Sequence, residues 1–476
     1  MVAAVSPQVI LERADSQPVL LTFDGPQIVS DTGLLAVRAL DRRLGVLAGL
    51  APLLPDPRAR KYVTHSAEAL LTQQVYQLLA GYPDANDAQA LRTDPLFQIL
   101  ADVAPDPKRP LASAATLTRF QYAFTRRQAQ LPLAERPVLL EVRAAQTQRL
   151  KVVNRYLVDL FIRTRPAPPH EVILDADATD DPVHGGQHLS AYHGYYGQHQ
   201  YFPLLVFDGH TGFPLAAWLR PGAVHASLGA TDVLAELVAA LRAAWPAVRI
   251  VLRGDSGLAV PAVYEFCEHA DIRYALGYGT NAVLERATQQ AAADVELYYR
   301  CYGRREPHVQ RYEEVKDYQA GTWTRPRRVV VKIERTPQGS QRRFVVTDLA
   351  DRPEVVYRDF YVERGAVPEQ PIGELKNGLR AERLSACGFC ANALRLVLHV
   401  VAYALVVLWR EAAAAAGLAE VARASIGTLW KVGAVVRVRG RRVWLQVSRS
   451  WPGREVWVRL CAAVEGFAAA LAWPGS

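Results

Sequence analysis

The segment Val172-Ile-Leu-Asp-Ala-Asp-Ala178 is an apolar, strand-like run that ends in acidic residues, and the predicted fold is built around it. Two later strands flank the turn Asp208-Gly-His-Thr-Gly212 and predict a β-hairpin. The predicted elements are, in order, strands at 172–178, 201–207 and 213–219, a helix at 231–245, a strand at 249–252, a helix at 261–269 and a strand at 272–276. This order predicts an α/β fold with a mixed sheet.

The residues before this sheet are predicted to be mostly helical. Apolar residues recur at helical spacing from Leu34 to Leu44 and from Leu70 to Leu79. The Pro-rich segment from Arg163 to His170 then acts as a linker. This pattern predicts a helical N-terminal region over residues 1–165 and the first part of the α/β domain over residues 166–280.

The residues after this sheet divide into three parts. Residues 281–350 form a predicted strand-rich insertion, because Thr322–Arg335 and Arg342–Asp348 are rich in β-branched residues and Arg. Residues 351–416 complete the α/β domain, with a long helical region from about Glu369 to Ala416. Residues 417–476 form a basic C-terminal region, in which the alternation from Val435 to Val447 predicts a hairpin that turns at Gly440.

The composition excludes several classes of protein. With 50% hydrophobic and 21% charged residues, the chain supports packed cores and is not mainly disordered. Five Cys in 476 residues exclude a disulfide scaffold. No secretion signal is visible, and the apolar run from Leu396 to Trp409 is too short for a membrane span, so it predicts a buried core helix. We therefore expect a cytoplasmic protein that does not bind membranes.

The charge is basic and comes mostly from Arg. The formal net charge is +8, and seven of the 55 basic residues are Lys. A coding bias would explain the Arg excess, but so would contact with phosphate groups, to which a guanidinium donates two hydrogen bonds.

The first candidate site is the acidic end of the strand predicted at residues 172–178. Alternation places Asp175 and Asp177 on one face. Clustered carboxylates repel each other unless a cation neutralises them, and a hard divalent metal is the simplest partner. A solvated acidic turn is the alternative, although the apolar lead-in favours a buried strand that delivers the acids to its end.

Two later segments each add one acid. Asp255 directly follows the strand of Ile250-Val-Leu-Arg-Gly254, a place where ligands of α/β sheets bind. An N-cap or Asx turn would also explain it. Glu369 begins a predicted helix and shares a face with Lys376, seven positions later. A solvated, charged helix start is the alternative there. Two Asp at strand ends and one Glu on a later helix, in a basic protein, predict two-metal phosphoryl transfer.

The sequence resembles the DDE transposases of bacterial insertion sequences, more narrowly the group numbered thirteen-eighty, which is related to group four. Three blocks carry the resemblance: Leu174–Gly185, Leu252–Gly257 and Tyr361–Lys376. The family signature spaces Tyr, Arg, Glu and Lys as Y-x2-R-x3-E-x6-K. Tyr361, Arg364, Glu369 and Lys376 match it, except that four residues separate Arg364 from Glu369. The pattern Asp-x-Thr favours Asp177 as the first acid and leaves Asp175 as the alternative.

The resemblance implies an RNase H-like core that is split by the insertion, and a DNA-binding N-terminal region. It implies that Asp177, Asp255 and Glu369 bind two Mg²⁺ ions, with Mn²⁺ as a substitute, and catalyse cut-and-paste transposition. The partners would be double-stranded DNA, as terminal inverted repeats and target, and a second copy of the chain in a synaptic complex.

The resemblance also implies DNA contacts outside the acids, and these are predicted for Tyr361, Arg364 and Lys376. In related enzymes a Trp of the insertion holds a flipped base, and Trp323 is the candidate here, with a core position in the sheet as the alternative. The neighbouring Arg325, Arg327 and Arg328 are predicted to face DNA.

Two alternative functions remain, and neither needs residues beyond the three acids. An RNase H-like nuclease without strand transfer uses the same acids. An inactive DNA-binding relic of a transposase needs none of them, and the presence of all three acids argues against it.

Overall fold

The structure is a computed structural model that describes residues 8–11, 19–54, 56, 58, 60–122, 139–366, 369–418, 430–440 and 442–471. The first third is mainly helical, as predicted. Its elements are β1 (Gln8–Leu11), β2 (Val19–Thr22), β3 (Ile28–Val29), α1 (Leu34–Leu44), α2 (Val46–Leu50), α3 (Ala67–Leu79), α4 (Asp87–Leu91), α5 (Pro95–Leu100), α6 (Ala114–Gln121) and α7 (Leu139–Arg163). Both stretches with helical spacing are helices, α1 and α3. Helix α1 buries Leu34, Val37, Leu40 and Leu44 on one face, whereas α3 is buried on all sides from Leu70 to Leu79.

The central sheet follows the predicted order of elements. Its elements are β4 (Glu171–Ala178), β5 (Asp181–Pro182), β6 (Ala191–His193), β7 (Gln198–Tyr201), β8 (Leu204–Asp208), β9 (Pro214–Trp218), α8 (Ala230–Ala244), β10 (Arg249–Gly254), α9 (Pro261–His269) and β11 (Arg273–Tyr278). Strand β4 pairs antiparallel with β8 and parallel with β10, and β10 pairs parallel with β11. The mixed α/β fold is therefore confirmed.

The central sheet separates two cores, and β4 contributes side chains to both of its faces because successive side chains alternate. Val172, Leu174 and Ala176 face the main core. The opposite face of the sheet carries a smaller apolar cluster that includes Val251, Ala275 and Tyr357. Asp175 and Asp177 lie on this second face, since they alternate with the residues of the main core.

The insertion extends the central sheet. It contains two helices that the sequence pattern did not indicate, α10 (Ala282–Ala287) and α11 (Gln289–Tyr302), followed by β12 (Val309–Tyr318), β13 (Arg327–Thr336) and β14 (Gly339–Thr347). Strand β14 pairs antiparallel with β11, so the complete sheet has eight strands in the order β12-β13-β14-β11-β10-β4-β8-β9. The predicted strands are thus present, in the same sheet as β4 and β10.

The predicted long helix from Glu369 to Ala416 is interrupted. A π-helical segment at Val355–Tyr361 precedes α12 (Glu363–Ala366) and α13 (Glu369–Gly373), and a second π-helical segment covers Glu374–Gly378. Irregular backbone follows, in which Arg380 has φ +57°. Helix α14 (Phe389–Ala415) begins only after it. The predicted helical region thus consists of several helical segments, and residues 379–388 turn the chain between them.

Helix α14 is the core helix predicted from the apolar run Leu396–Trp409, but it is longer. Its 27 residues make it the one helix in the described ranges with the length and apolar composition to cross a membrane. The whole of its most apolar window is buried inside the protein. It packs against α1, α3 and β9, so its apolar surface is covered by the chain itself.

The basic tail forms the predicted hairpin. Strands β15 (Ala434–Arg439) and β16 (Arg442–Val447) pair antiparallel, and Gly440 adopts φ +58° in the turn. Such a left-handed conformation costs Gly little because it has no Cβ. Strand β15 also pairs with β3, and α15 (Arg454–Ala470) follows the hairpin.

Candidate active site

Asp177 and Asp255 lie at neighbouring ends of parallel strands. The last paired residues of β4 and β10 are Ala176 and Gly254, and each acid follows directly on one of them. Neighbouring strands are about 4.8 Å apart. The structure therefore brings together the first and second acids that the sequence singled out.

The two acids are held in different ways. The Asp177 side chain is 18% exposed, and its Oδ2 lies 3.5 Å from Nη1 of Arg364. Asp255 caps a short 3-10 turn at Ser256–Leu258, where its Oδ1 accepts a hydrogen bond of 2.9 Å from the Gly257 backbone N–H. The N-cap expected as the alternative for Asp255 is thus present, and it fixes the carboxylate at the strand end.

Tyr361 lies beside Asp255 because β11 has a glycine, Gly277, at this level. A Cβ on Gly277 would lie 2.5 Å from the Tyr361 hydroxyl and 3.2 Å from the Ser256 backbone nitrogen, so only Gly leaves room for the phenol here. Burial raises the pKa of Tyr361, Arg364 lowers it, and the charges of Asp255 and Asp177 raise it further. Tyr361 therefore senses both carboxylates, and the guanidinium of Arg364 lies 5.9 Å from its ring centroid.

Lys376 contacts an acid that the sequence did not single out. Its Nζ lies 2.7 Å from Oδ1 of Asp180, which follows β4, and Gln198 donates a 3.0 Å hydrogen bond to Oδ2. Burial of Asp180 raises its pKa, but the hydrogen bond and charge of Lys376 outweigh this, and the pKa lies below its ordinary value. Tyr361, Arg364 and Lys376 thus all reach the end of β4.

Asp181 follows Asp180 but has a different environment. It is 3% exposed, and within the described part of the chain its Oδ1 has no hydrogen-bond partner. Burial raises its pKa to about 8, while the charge of Lys376 opposes this. Asp181 is therefore a carboxyl group whose surroundings favour the protonated form.

Asp175, the alternative first acid, is engaged elsewhere. It is fully buried, and Arg253 donates a hydrogen bond to each carboxylate oxygen, from Nε at 2.5 Å and from Nη2 at 2.6 Å. The same guanidinium donates to the Phe360 carbonyl at 2.7 Å. Burial raises the pKa of Asp175, and Arg253 opposes this. Arg253 was not predicted, although an Arg directly after the apolar run Ile250–Leu252, within the same strand, was the available signal.

Glu369 is the first residue of α13, as predicted, and its side chain lies outside the described part of the chain, as do Val367 and Pro368. The described residues contain no group of three or more His, Cys, Asp or Glu side chains placed to hold a metal ion. They supply two carboxylates, Asp177 and Asp255. Oxygen ligands of this kind suit a hard divalent cation, so the donor set fits Mg²⁺ in chemical type.

Trp323 is a core residue in this structure. It is 5% exposed and packs against Tyr264, Tyr278 and Tyr318, with ring centroids 5.3–5.4 Å apart. This is the alternative expected for a Trp of the sheet. A base could stack on it only if this aromatic cluster opened.

The three neighbouring arginines differ in exposure. The Arg327 side chain is 2% exposed and grips Glu268 with two hydrogen bonds, of 2.7 and 3.0 Å. Arg328 pairs with Glu314 at 2.7 Å and donates to the carbonyls of Leu349 and Asp351. Arg325 is 58% exposed, although it also contacts Glu268. The prediction that all three face DNA does not fit Arg327, because its charge is already paired inside the fold.

Comparisons with known proteins agree with the sequence resemblance. Residues 11–468 match the profile of the family described as "Transposase DDE domain group 1". No curated protein matches the chain. Among solved structures, a cryo-EM structure of a piggyBac transposase synaptic complex with hairpin DNA aligns with 94% of this chain and 83% of its own chain, at 11% identity and a TM-score of 0.41. The family match spans nearly the whole chain, and this protein therefore belongs to the DDE transposase family.

Proposed function

We propose that the chain is a DNA transposase that moves an insertion sequence by a cut-and-paste reaction at its terminal inverted repeats. The observation that carries the proposal is the position of Asp177 and Asp255 at adjoining ends of β4 and β10, with Tyr361, Arg364 and Lys376 around them. Metal-dependent phosphoryl transfer needs carboxylates that are placed in this way beside cationic side chains.

We also propose that strands β9-β8-β4-β10-β11 form an RNase H-like core. Two features support this assignment. The acids follow directly on paired strands of one mixed sheet, and the insertion lies between Asp255 and Glu369 in the chain. The helical region before residue 165 is proposed to bind DNA, and a second copy of the chain is proposed to complete a synaptic complex.

The proposed metal ligands are Asp177, Asp255 and Glu369. Two Mg²⁺ ions bound there would stabilise the developing charge on the attacking and leaving oxygens. Asp255 is held by the Gly257 N–H, which fixes its direction before DNA arrives. Arg364 pairs with Asp177 and balances the charge of its carboxylate. The same guanidinium is a cation that can also bind a phosphate oxygen. Lys376 places a second cation at the same edge of the sheet.

The proposal is tested with Asp255→Asn and DNA from both flanks of the gene. We expect the variant to bind these ends with nearly unchanged affinity but to lose cleavage in Mg²⁺, because a metal ligand acts mainly on the transition state. Asp351→Asn is the control, since Asp351 is exposed and follows the end of β14 that lies beside the start of β11, at the opposite edge of the sheet from the acids.

Three outcomes would contradict parts of the proposal. Cleavage by Asp255→Asn at the wild-type rate would exclude the metal-ligand role. Cleavage without joining of the released 3′ end to a target molecule would favour a nuclease over a transposase. End binding without cleavage by the wild-type chain would indicate a relic.

A further inference from the structure

Arg220 is a buried basic residue that forms no ion pair. It lies two residues after β9 and is 2% exposed. None of the ion pairs among the described residues includes it. Burying a charged group is costly unless hydrogen bonds replace the water that it loses. The partners of the Arg220 guanidinium therefore indicate what this residue does for the fold.

Backbone carbonyls from two segments take the place of an acid. The Nε of Arg220 donates to the Phe202 carbonyl at 2.7 Å, directly after β7. Its Nη1 donates to the carbonyls of Ala226 and Leu228 at 2.6 and 3.1 Å. These two residues belong to the segment 221–229 between β9 and α8, which we call the β9–α8 loop. Because the guanidinium is planar and rigid, the hydrogen bonds fix the loop against the end of β7.

The start of the β9–α8 loop is packed against the neighbouring strands. Gly222 donates from its backbone N–H to the Leu189 carbonyl at 3.3 Å. A Cβ on Gly222 would clash with the Gln200 carbonyl oxygen in β7, so only Gly lets the loop pass this close to the strand. The loop is thus held at its start by Gly222 and at its middle by Arg220.

The middle of the loop contacts the turn that follows Asp255. The Ala226 Cβ lies 2.6 Å from the position that a Cβ on Gly257 would take, so the loop packs directly on the turn Ser256–Leu258. The Gly257 N–H is the group that donates to Oδ1 of Asp255. Burial lowers the pKa of Arg220 to about 10, against the opposing charge of Asp255. Arg220 is therefore linked to Asp255 through the contact between Ala226 and Gly257.

We propose that Arg220 is a positioning residue for Asp255, which it orients by fixing the β9–α8 loop against Gly257. The inference rests on the proposed function, because it takes Asp255 to be a metal ligand whose direction matters. Arg220 contacts neither DNA nor metal in this role. Residues that support a metal ligand in this way contribute about 10- to 100-fold to metal affinity or activity.

The first test uses Arg220→Lys, which keeps the positive charge but loses the rigid fork that joins the loop to the end of β7. We expect its DNA cleavage rate to fall by about 10- to 100-fold at limiting Mg²⁺. Excess Mg²⁺ should recover most of this loss, because mass action offsets a weakened metal site. Binding of the DNA ends should be nearly unchanged. A Mg²⁺ dependence equal to that of the wild type would overturn the proposal.

Arg395→Lys is the matched control for the loss of a buried guanidinium. Arg395 is 4% exposed and also donates to backbone carbonyls, those of Pro83 and Arg383. This variant should be destabilised as well, but its Mg²⁺ dependence should match the wild type. The same rise in Mg²⁺ requirement in both variants would show that the effect is general destabilisation, and it would overturn the specific role of Arg220.

Hydrogen exchange of the full chain, followed by mass spectrometry without DNA or metal, measures the positioning without relying on activity. In Arg220→Lys, peptides that cover residues 221–229 and 255–258 should exchange faster, whereas those of β4 should not change. Unchanged exchange at residues 255–258 would overturn the proposal. Failure of the wild-type chain to cleave DNA at any Mg²⁺ concentration would refute the proposed function instead, while the exchange data still decide whether Arg220 holds the turn.

A second variant disturbs the same contact and leaves Arg220 intact. Gly257→Ala adds a Cβ that would lie 2.6 Å from the Ala226 Cβ and 3.2 Å from Oδ1 of Asp255. It should reproduce the higher Mg²⁺ requirement. Adding Ala226→Gly removes the closer of these two clashes and should recover part of the cleavage rate at limiting Mg²⁺. No recovery in the double variant would show that Asp255 is not positioned through the loop.

Discussion

Asp175 and Asp177 are two residues apart on the same face of β4, yet they have different surroundings. Asp175 is fully buried and is gripped through both oxygens by Arg253, a residue of the neighbouring strand. Asp177 is partly exposed, and its carboxylate lies 3.5 Å from the guanidinium of Arg364, a residue of a later helix. The comparison teaches that residue type and strand face do not decide the role of an acid. Its depth along the strand and the partner at that depth decide it.

The largest expected effect is on catalysis at the end of the strand. Asp177→Asn should lower the rate of DNA cleavage by more than about 100-fold, since even residues that only support metal ligands contribute about 10- to 100-fold. Its unfolding free energy should change little, because the side chain is partly solvated. Gel-based cleavage assays and urea unfolding measure the two quantities. A strongly destabilised Asp177→Asn would break the comparison.

The next effect is on stability inside the strand. Asp175→Asn leaves the Arg253 charge buried without its acid, which should lower the unfolding free energy by about 3–5 kcal/mol. The combined change of Asp175→Leu and Arg253→Met should recover part of this loss, because it removes both charges together. At a temperature where Asp175→Asn is still folded, it should cleave DNA. If Asp175→Asn folds but does not cleave DNA, Asp175 rather than Asp177 is the first catalytic acid.

The third effect is a change in pH dependence and concerns Asp181, a third environment for the same residue type. Its folded-state pKa of about 8 lies above the ordinary value, so the stability that it contributes is complete at low pH and is lost as the pH rises towards about 8. Asp181→Asn should therefore flatten the fall in unfolding free energy over this window, by up to about 1.4 kcal/mol per pH unit.

The neighbouring Asp180 is the control with the opposite sign. Its pKa is lowered in the folded state, so its contribution is present above the ordinary pKa and is lost on acidification. In urea unfolding from mildly acidic to mildly alkaline pH, Asp181→Asn should show a flatter slope than the wild type. Asp180→Asn should keep the wild-type slope, because Asp180 takes up its proton only below its ordinary pKa of 3.8. Identical pH slopes for wild type and Asp181→Asn would show that the carboxyl group is solvated.

The sequence alone predicted the local parts of this fold. Alternation located β4, and helical spacing located α1, α3, α8 and α9, since these patterns depend only on near neighbours. The order of elements was enough to predict the mixed sheet. It also placed Asp177 and Asp255 at strand ends, which meet in the structure.

The missed features depend on distant residues. Asp175 meets Arg253, 78 positions later, and no local pattern in either segment indicates that pairing. The sequence left a core position for Trp323 open beside a base-binding role, because its burial depends on tyrosines from three other segments. Helices α10 and α11 lie in the first part of the insertion. The insertion was predicted to be strand-rich from the β-branched residues of its second part. The irregular residues 379–388 contain Arg380 with positive φ, a conformation that an Arg does not indicate.

The pairing of β3 with β15 has a consequence for how the protein is made. Ile28 lies opposite Val435, and close by the Gly33 backbone N–H donates to the Trp430 carbonyl at 3.1 Å. On a ribosome that adds about 5–20 residues per second, Ile28 waits roughly 20–80 s for its partner to be synthesised. Until then β3 lacks its pairing with β15, and the start of α1 lacks the hydrogen bond to Trp430. A product cut short before β15 could contain every proposed catalytic residue and still leave its N-terminal region incompletely folded, so translation to nearly the end of the described chain is a condition for a complete enzyme.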